Sequence, residues 1–166
     1  MNPFKVLIVE DVALELKGTE GIFRNEIPEA EIIGTAENEP AYWRLIKQTK
    51  PDLVLLDLGL GGSTTVGVEI CRHTKEAYPD VKVLIFTGEI LNEKLWVDVL
   101  DAGCDGICLK SGELLTRGDV SSVMSGKRII RCRARTHVWH SRRWCSRCVN
   151  SADWWPLANT GLAVRL

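Results

Sequence analysis

Residues 51–62 read PDLVLLDLGLGG. Leu53 to Leu56 are four consecutive apolar residues between a Pro-Asp turn and a glycine cluster, the pattern of a strand buried on both faces inside a parallel sheet. Asp57 closes that run. In open α/β sheets ligands and chemistry collect beyond the carboxyl ends of the strands, so a lone acid there is a site candidate.

Working outward, KVLIVE (residues 5–10) is a second continuous apolar run and ends at adjacent acids, Glu10 and Asp11. It predicts the first strand. Residues 12–25 have helical spacing, weakened by Gly18 and Gly21 and stopped by Pro28. EIIGTA (31–36) predicts a short strand, and 39–49 a helix with Tyr42, Trp43, Leu45 and Ile46 on a broad face. After the glycines, 65–78 predicts a helix ended by Pro79-Asp80, and VKVLIF (81–86) a fourth strand closed by Thr87-Gly88. Residues 92–102 place Leu95, Trp96, Val99 and Leu100 at helical spacing, with Gly103 as C-cap. GICL (106–109) predicts a fifth strand ended by Lys110, and Ser111 a cap for a last helix reaching about Ser125, before Gly126.

Strand and helix alternating five times predict the α/β class: a doubly wound, five-stranded parallel sheet. The right-handed crossover rule favours the order 2-1-3-4-5. Glu10, Asp11, Asp57, Thr87 and Lys110 then face one crevice.

The chain has 166 residues, 45% hydrophobic and 26% charged, enough for one domain with a core. The formal net charge of −1 hides an asymmetry. Through Lys127 there are 13 Lys and Arg against 21 Asp and Glu; from Arg128 onward there are 8 Arg and a single acid, Asp153. The reading is therefore a domain over 1–127 and a basic tail over 128–166. No apolar run approaches the roughly 18 residues of a membrane span, and the first residues lack the pattern of a secretory leader. A cytoplasmic protein with reduced thiols and no membrane partner is expected.

Three carboxylates in one crevice raise one another's pKa unless a cation joins them. Mg²⁺ suits such a set, because it takes one or two carboxylates together with waters and phosphate oxygens. Lys110 adds a fixed positive charge. The combination suits a phosphoryl group arriving on a carboxylate nucleophile, with Asp57 as that nucleophile.

Glu10-Asp11, Asp57, Thr87 and Lys110, each after a predicted strand, resemble the five-position set of two-component response-regulator receiver domains over about residues 3–127. LDAGCDGICLKSGEL (100–114) resembles receivers of LuxR-type regulators. The resemblance implies the flavodoxin-like receiver fold. It implies that Asp57 accepts phosphate from a phosphohistidine on a sensor histidine kinase or phosphotransfer protein. Glu10 and Asp11 would hold Mg²⁺ with Asp57 and the backbone carbonyl of Gly59, while Thr87 and Lys110 would bind phosphoryl oxygens. The protein would be a switch with at most slow self-dephosphorylation, not a turnover enzyme. Homodimerisation would use the face of the fourth helix, fifth strand and fifth helix, and DNA would be bound only if an output domain is supplied elsewhere.

The chain departs from that family in three places. Ile107 stands where a Tyr or Phe switch residue is usual; it is either a plain strand residue or a functional difference that leaves output coupling weak, different, or carried by Trp96 and helix 92–102. The loop after Asp57, GLGGSTTVG, is longer by about two residues and lacks the Met-Pro and Asp-Gly pairs; its glycines predict flexibility. Ser111 stands where proline is common, so a trans peptide or a strained site is expected there.

The tail shows little periodicity and is too short for a helix-turn-helix domain. Three readings are open. Cys132, His137, His140, Cys145 and Cys148 offer zinc ligands. Arginines interleaved with Trp139, Trp144, Trp154 and Trp155 offer nucleic-acid binding. The favoured reading is a tail without selected function, as from an out-of-frame end of a truncated transcriptional regulator. An aspartate-nucleophile phosphatase of the haloacid dehalogenase class is a rival for the whole chain, but Gly59 stands where its second Asp belongs. A flavodoxin is another, but Glu10-Asp11 would repel a flavin phosphate.

Overall fold

The computed structural model describes residues 2–88, 93–110, 115–132 and 135–139. The expected alternation is present as β1 (Phe4–Val9), α1 (Ala13–Glu26), β2 (Ala30–Ala36), α2 (Glu39–Thr49) and β3 (Leu53–Leu56). It continues as α3 (Thr64–Ala77), β4 (Lys82–Thr87), α4 (Glu93–Asp101), β5 (Gly106–Leu109) and α5 (Arg117–Met124). The first five strands are parallel in the order β2-β1-β3-β4-β5. No helix among the described residues is long and apolar enough to cross a membrane.

Alternate residues of each strand face opposite sides of the sheet, and the core divides accordingly. Leu7, Val9, Val54, Leu56, Val83 and Ile85 pack with Tyr42, Ile46, Cys71, Trp96 and Val99 from α2, α3 and α4. Val6, Ile8, Leu53, Leu55, Leu84 and Phe86 pack with Phe23, Val120 and Val123 from α1 and α5. β3 is buried at all four positions, which is why it reads as a continuous apolar run.

The turn AGCDG (102–106) is explained by its contacts. Gly103 has a φ of 86° and ends α4, its N–H donating to Leu100 O at 3.1 Å. Asp105 accepts from Val83 N at 3.0 Å and from Lys75 Nζ at 2.9 Å, joining β5 to β4 and α3. Gly106 lies where a Cβ would stand 2.6 Å from Leu84 Cδ1 and 2.9 Å from Val123 Cγ2, so α5 packs directly on the strand.

Two expectations need correction. The sheet does not end at β5, and residues from Arg128 onward are not all without strand structure. β6 (Arg128–Cys132) pairs in parallel with β5, and β7 (Arg135–Trp139) pairs antiparallel with β6, making seven strands among the described residues. The run RIIRC shows no alternation because Ile129 and Ile130 are buried on opposite faces, one in each core cluster. Arg131, which reads as a solvent residue, is buried and its guanidinium pairs with Asp119 of α5. A boundary after Lys127 would cut through this sheet. The second correction concerns the cap of α5. Thr116 fills that position, in a reciprocal capping box with Asp119. Ser111 and the peptide before it lie outside the described residues, as do 140–166. Of the zinc candidates, Cys132 ends β6 and His137 lies on β7, while His140, Cys145 and Cys148 are outside the described residues.

Candidate functional site

Backbone ladders set the positions of the acidic and basic groups. The Glu10 N–H donates to Ala36 O at 2.9 Å and the Asp57 N–H to Val9 O at 3.0 Å, so both residues leave adjacent parallel strands at the same level. The Lys110 N–H donates to Thr87 O at 2.8 Å, which places β4 and β5 in step. Glu10, Asp57 and Thr87 are buried, and the Lys110 side chain is largely so.

Glu10, Asp11 and Asp57 each offer an oxygen within 4.8 Å of the others. Lys110 lies over them and over the Phe86 ring, with Nζ 5.7 Å from the ring centroid. Its ammonium donates to Glu10 Oε2 at 2.5 Å and stands 3.6 Å from Asp57 Oδ1. It also donates to Glu15 Oε2, from the first turn of α1. Glu15 was not a sequence candidate; nothing in its local sequence points to Lys110, which lies 95 positions away.

Charges in this cluster perturb one another. Burial pushes the Glu10 carboxyl above its ordinary value, against the hydrogen bond and charge of Lys110 and the Val12 N–H, which donates to Glu10 Oε1 at 3.1 Å. Burial opposes the Lys110 charge, but the bonds to Glu10 and Glu15 and the field of Asp57 outweigh it, and its pKa is raised.

Asp11 Oδ1 and Asp57 Oδ1 are buried oxygens without a hydrogen-bond donor among the described residues. Each orphaned acceptor of this kind costs about 1–3 kcal/mol or more when charged, unless something absent from the protein satisfies it. Three hard oxygen donors, two of them orphaned, fit a divalent cation such as Mg²⁺.

The loop after Asp57 is shaped by its glycines. Leu60–Gly62 form a 3-10 turn in which Gly61 and Gly62 have φ of 61° and 74°, values that favour glycine. The Gly61 N–H donates to Asp11 Oδ2 at 2.8 Å, linking this loop to the acid pair. Gly59 O accepts from Gly62 N at 3.1 Å, which leaves its second lone pair. Gly67, which the sequence reading passed over, lets α3 lie against the chain leaving β3. A Cβ there would stand 2.7 Å from Leu58 Cα and 3.0 Å from Asp57 O.

Ile107 is fully buried between Ile85 of β4 and Ile130 of β6, in the same cluster as Trp96. It occupies core space and exposes nothing.

Residues 6–116 match the family model described as the response regulator receiver domain. The chain is 32% identical over 110 residues to the transcriptional regulatory protein DegU of Brevibacillus brevis, covering 66% of this chain and 44% of that protein. It is 26% identical over 145 residues to a protein-glutamate methylesterase/protein-glutamine glutaminase of Desulfotalea psychrophila, covering 86% of this chain and 39% of that one. The chain thus spans less than half the length of these relatives. The crystal structure of a LuxR-family two-component response regulator from Aurantimonas sp. SI85-9A1 superposes with a TM-score of 0.68 at 24% identity, over 78% of this chain and 90% of that one.

Proposed function

The chain belongs to the response-regulator receiver-domain family, and we propose that Asp57 is its phosphoacceptor, loaded from a phosphohistidine on a sensor histidine kinase or a phosphotransfer protein. The observation that carries this is the buried, donor-less Asp57 Oδ1, set between an acid pair and an ammonium 3.6 Å away. An attacking carboxylate oxygen needs to be free of donors, and its partners need to neutralise the phosphoryl group that arrives. In the transfer the P–N bond of the phosphohistidine breaks, the P–O bond to Asp57 forms, and the imidazole keeps the electron pair.

Mg²⁺ would be held by Glu10, Asp11 and Asp57 with the Gly59 carbonyl, and would supply charge neutralisation at the phosphoryl oxygens. Glu10, whose two oxygens already accept hydrogen bonds from Val12 N and Lys110 Nζ, would contribute through waters on the ion. Thr87 and Lys110 would bind the remaining phosphoryl oxygens. This is a switch, with self-dephosphorylation as its slow reset. The methylesterase activity named for one relative belongs to that longer protein, and DNA binding by this chain would need an output domain supplied elsewhere.

The receiver unit on this reading runs at least through β6. A homodimer on the α4, β5 and α5 face would meet β6 and β7 beyond β5, since both strands extend the sheet past its outer edge. Residence is proposed to be cytoplasmic, in keeping with Cys71, Cys104 and Cys108 as free thiols.

The test is phosphate uptake from acetyl phosphate with Mg²⁺. The wild-type chain should become labelled and Asp57→Asn should not; equal labelling of the two would sink the assignment. Steady turnover of p-nitrophenyl phosphate would instead support the phosphatase rival.

A further inference from the structure

The contact that the phosphoacceptor reading leaves unexplained is Glu15 on Lys110. An ammonium has three donors. One goes to Glu10 Oε2, and a second to Glu15 Oε2. Asp57 Oδ1 lies 3.6 Å from the same nitrogen, inside ion-pair range but beyond hydrogen-bond length. Glu10 is buried and belongs to the acid cluster. Glu15 is half exposed and comes from a different element, so its carboxylate is the part of this arrangement that solvent can take over when Lys110 leaves.

We propose that Glu15 is a positioning residue that competes with the phosphoryl group for the Lys110 ammonium, biasing the site toward its unphosphorylated state. This inference rests on the reading of Asp57 above. A phosphoryl group on Asp57 brings oxygens that need the lysine, and the Glu15 contact has to be surrendered or shared for Lys110 to serve them. The cost of surrender is that of one partly exposed ion pair, because water rehydrates Glu15. The site thereby carries a built-in opposition to loading that is independent of the metal set.

Beryllofluoride, a phosphoryl analogue that binds without covalent turnover, tests this on the full chain with Mg²⁺, read by fluorine NMR. Glu15→Gln removes the charge. Glu15→Asp keeps the charge but is one methylene too short to hold the lysine. Both should bind beryllofluoride tighter than wild type, by about two- to fivefold for Glu15→Gln. Tightening in Glu15→Gln alone would mean simple charge repulsion and would overturn the competition for Lys110, as would unchanged or weaker binding in both. A wild-type chain that binds no beryllofluoride would overturn the Asp57 reading itself, and this inference with it.

Discussion

Lys110 Nζ is hydrogen-bonded to Glu10 Oε2 at 2.5 Å, yet the Glu10 carboxyl still has its pKa raised above the ordinary 4.5, because burial outweighs the lysine. A metal takes the ionised carboxylate, so Mg²⁺ affinity depends on that proton. The sign follows from the raised value. The folded state favours protonated Glu10, so this residue's own contribution to stability is lost as pH rises through its folded pKa, and Mg²⁺ offsets that loss by binding the ionised form. The rise in melting temperature on adding MgCl₂ should therefore be larger near pH 7.5 than near pH 5. An equal shift at both would remove Glu10 from the metal set.

Gly67 predicts a different failure. Its Cα faces the Leu58 backbone so closely that an alanine Cβ would stand 2.7 Å from Leu58 Cα, and backbone cannot move aside as a flexible side chain can. Gly67→Ala should destabilise the fold by about 1–3 kcal/mol, measured by urea unfolding. It should also slow phosphate uptake from acetyl phosphate, since relief of the clash moves the chain that carries Asp57. Unchanged stability together with unchanged uptake would show that α3 does not position the acid.

Those two cases mark what the sequence could convey. The strand-end placement of Glu10, Asp57 and Lys110 was legible because each directly follows a short, largely buried apolar run, with Asp11 one residue further on and Thr87 the last residue of β4. The five-strand order was legible because crossover handedness leaves few alternatives. Gly67 was not, since a glycine inside a helix pattern looks like a weakness until the facing backbone is seen. Glu15 was hidden for the complementary reason. An acid in the first turn of a helix already has an ordinary explanation in the helix dipole, and its reach to a lysine 95 positions away is purely tertiary. β6 was missed because two adjacent isoleucines facing opposite sides show neither alternation nor a long apolar run, and because the arginines around them dominate the composition.

β6 carries its own prediction. Ile129 and Ile130 are at most 1% exposed, and a Cβ on Gly106 would stand 3.1 Å from Ile129 Cγ1, so the strand is packed against β5 as tightly as an interior strand. Ile129→Ala and Ile130→Ala should each cost about 2–5 kcal/mol in urea unfolding. Removing residues 128–166 should cost at least as much, because it also takes the Arg131 guanidinium away from the buried Asp119 carboxylate. A chain ending at Lys127 that is as stable as the whole would place β6 outside the cooperative fold.

The three free thiols among the described residues, Cys71, Cys104 and Cys108, give a test of core integrity that does not involve the acidic site. Burial pushes the Cys71 thiol up to about 12 and raises Cys104 and Cys108 still more firmly out of the neutral range. The thiolate is the nucleophile, so at about pH 8 an exposed cysteine ionises in part while these three stay protonated and sterically covered. Iodoacetamide should leave them unmodified in the native protein, and peptide mass mapping should show all three labelled once urea unfolds the chain. Because Cys71 and Cys104 lie on the α2–α4 side of the sheet and Cys108 on the α1–α5 side, the labelling also reports whether the two halves of the core open together. Equal labelling rates with rising urea are expected for a single cooperative unit. Labelling of Cys108 ahead of the other two would instead mean that α5 and β6 detach first.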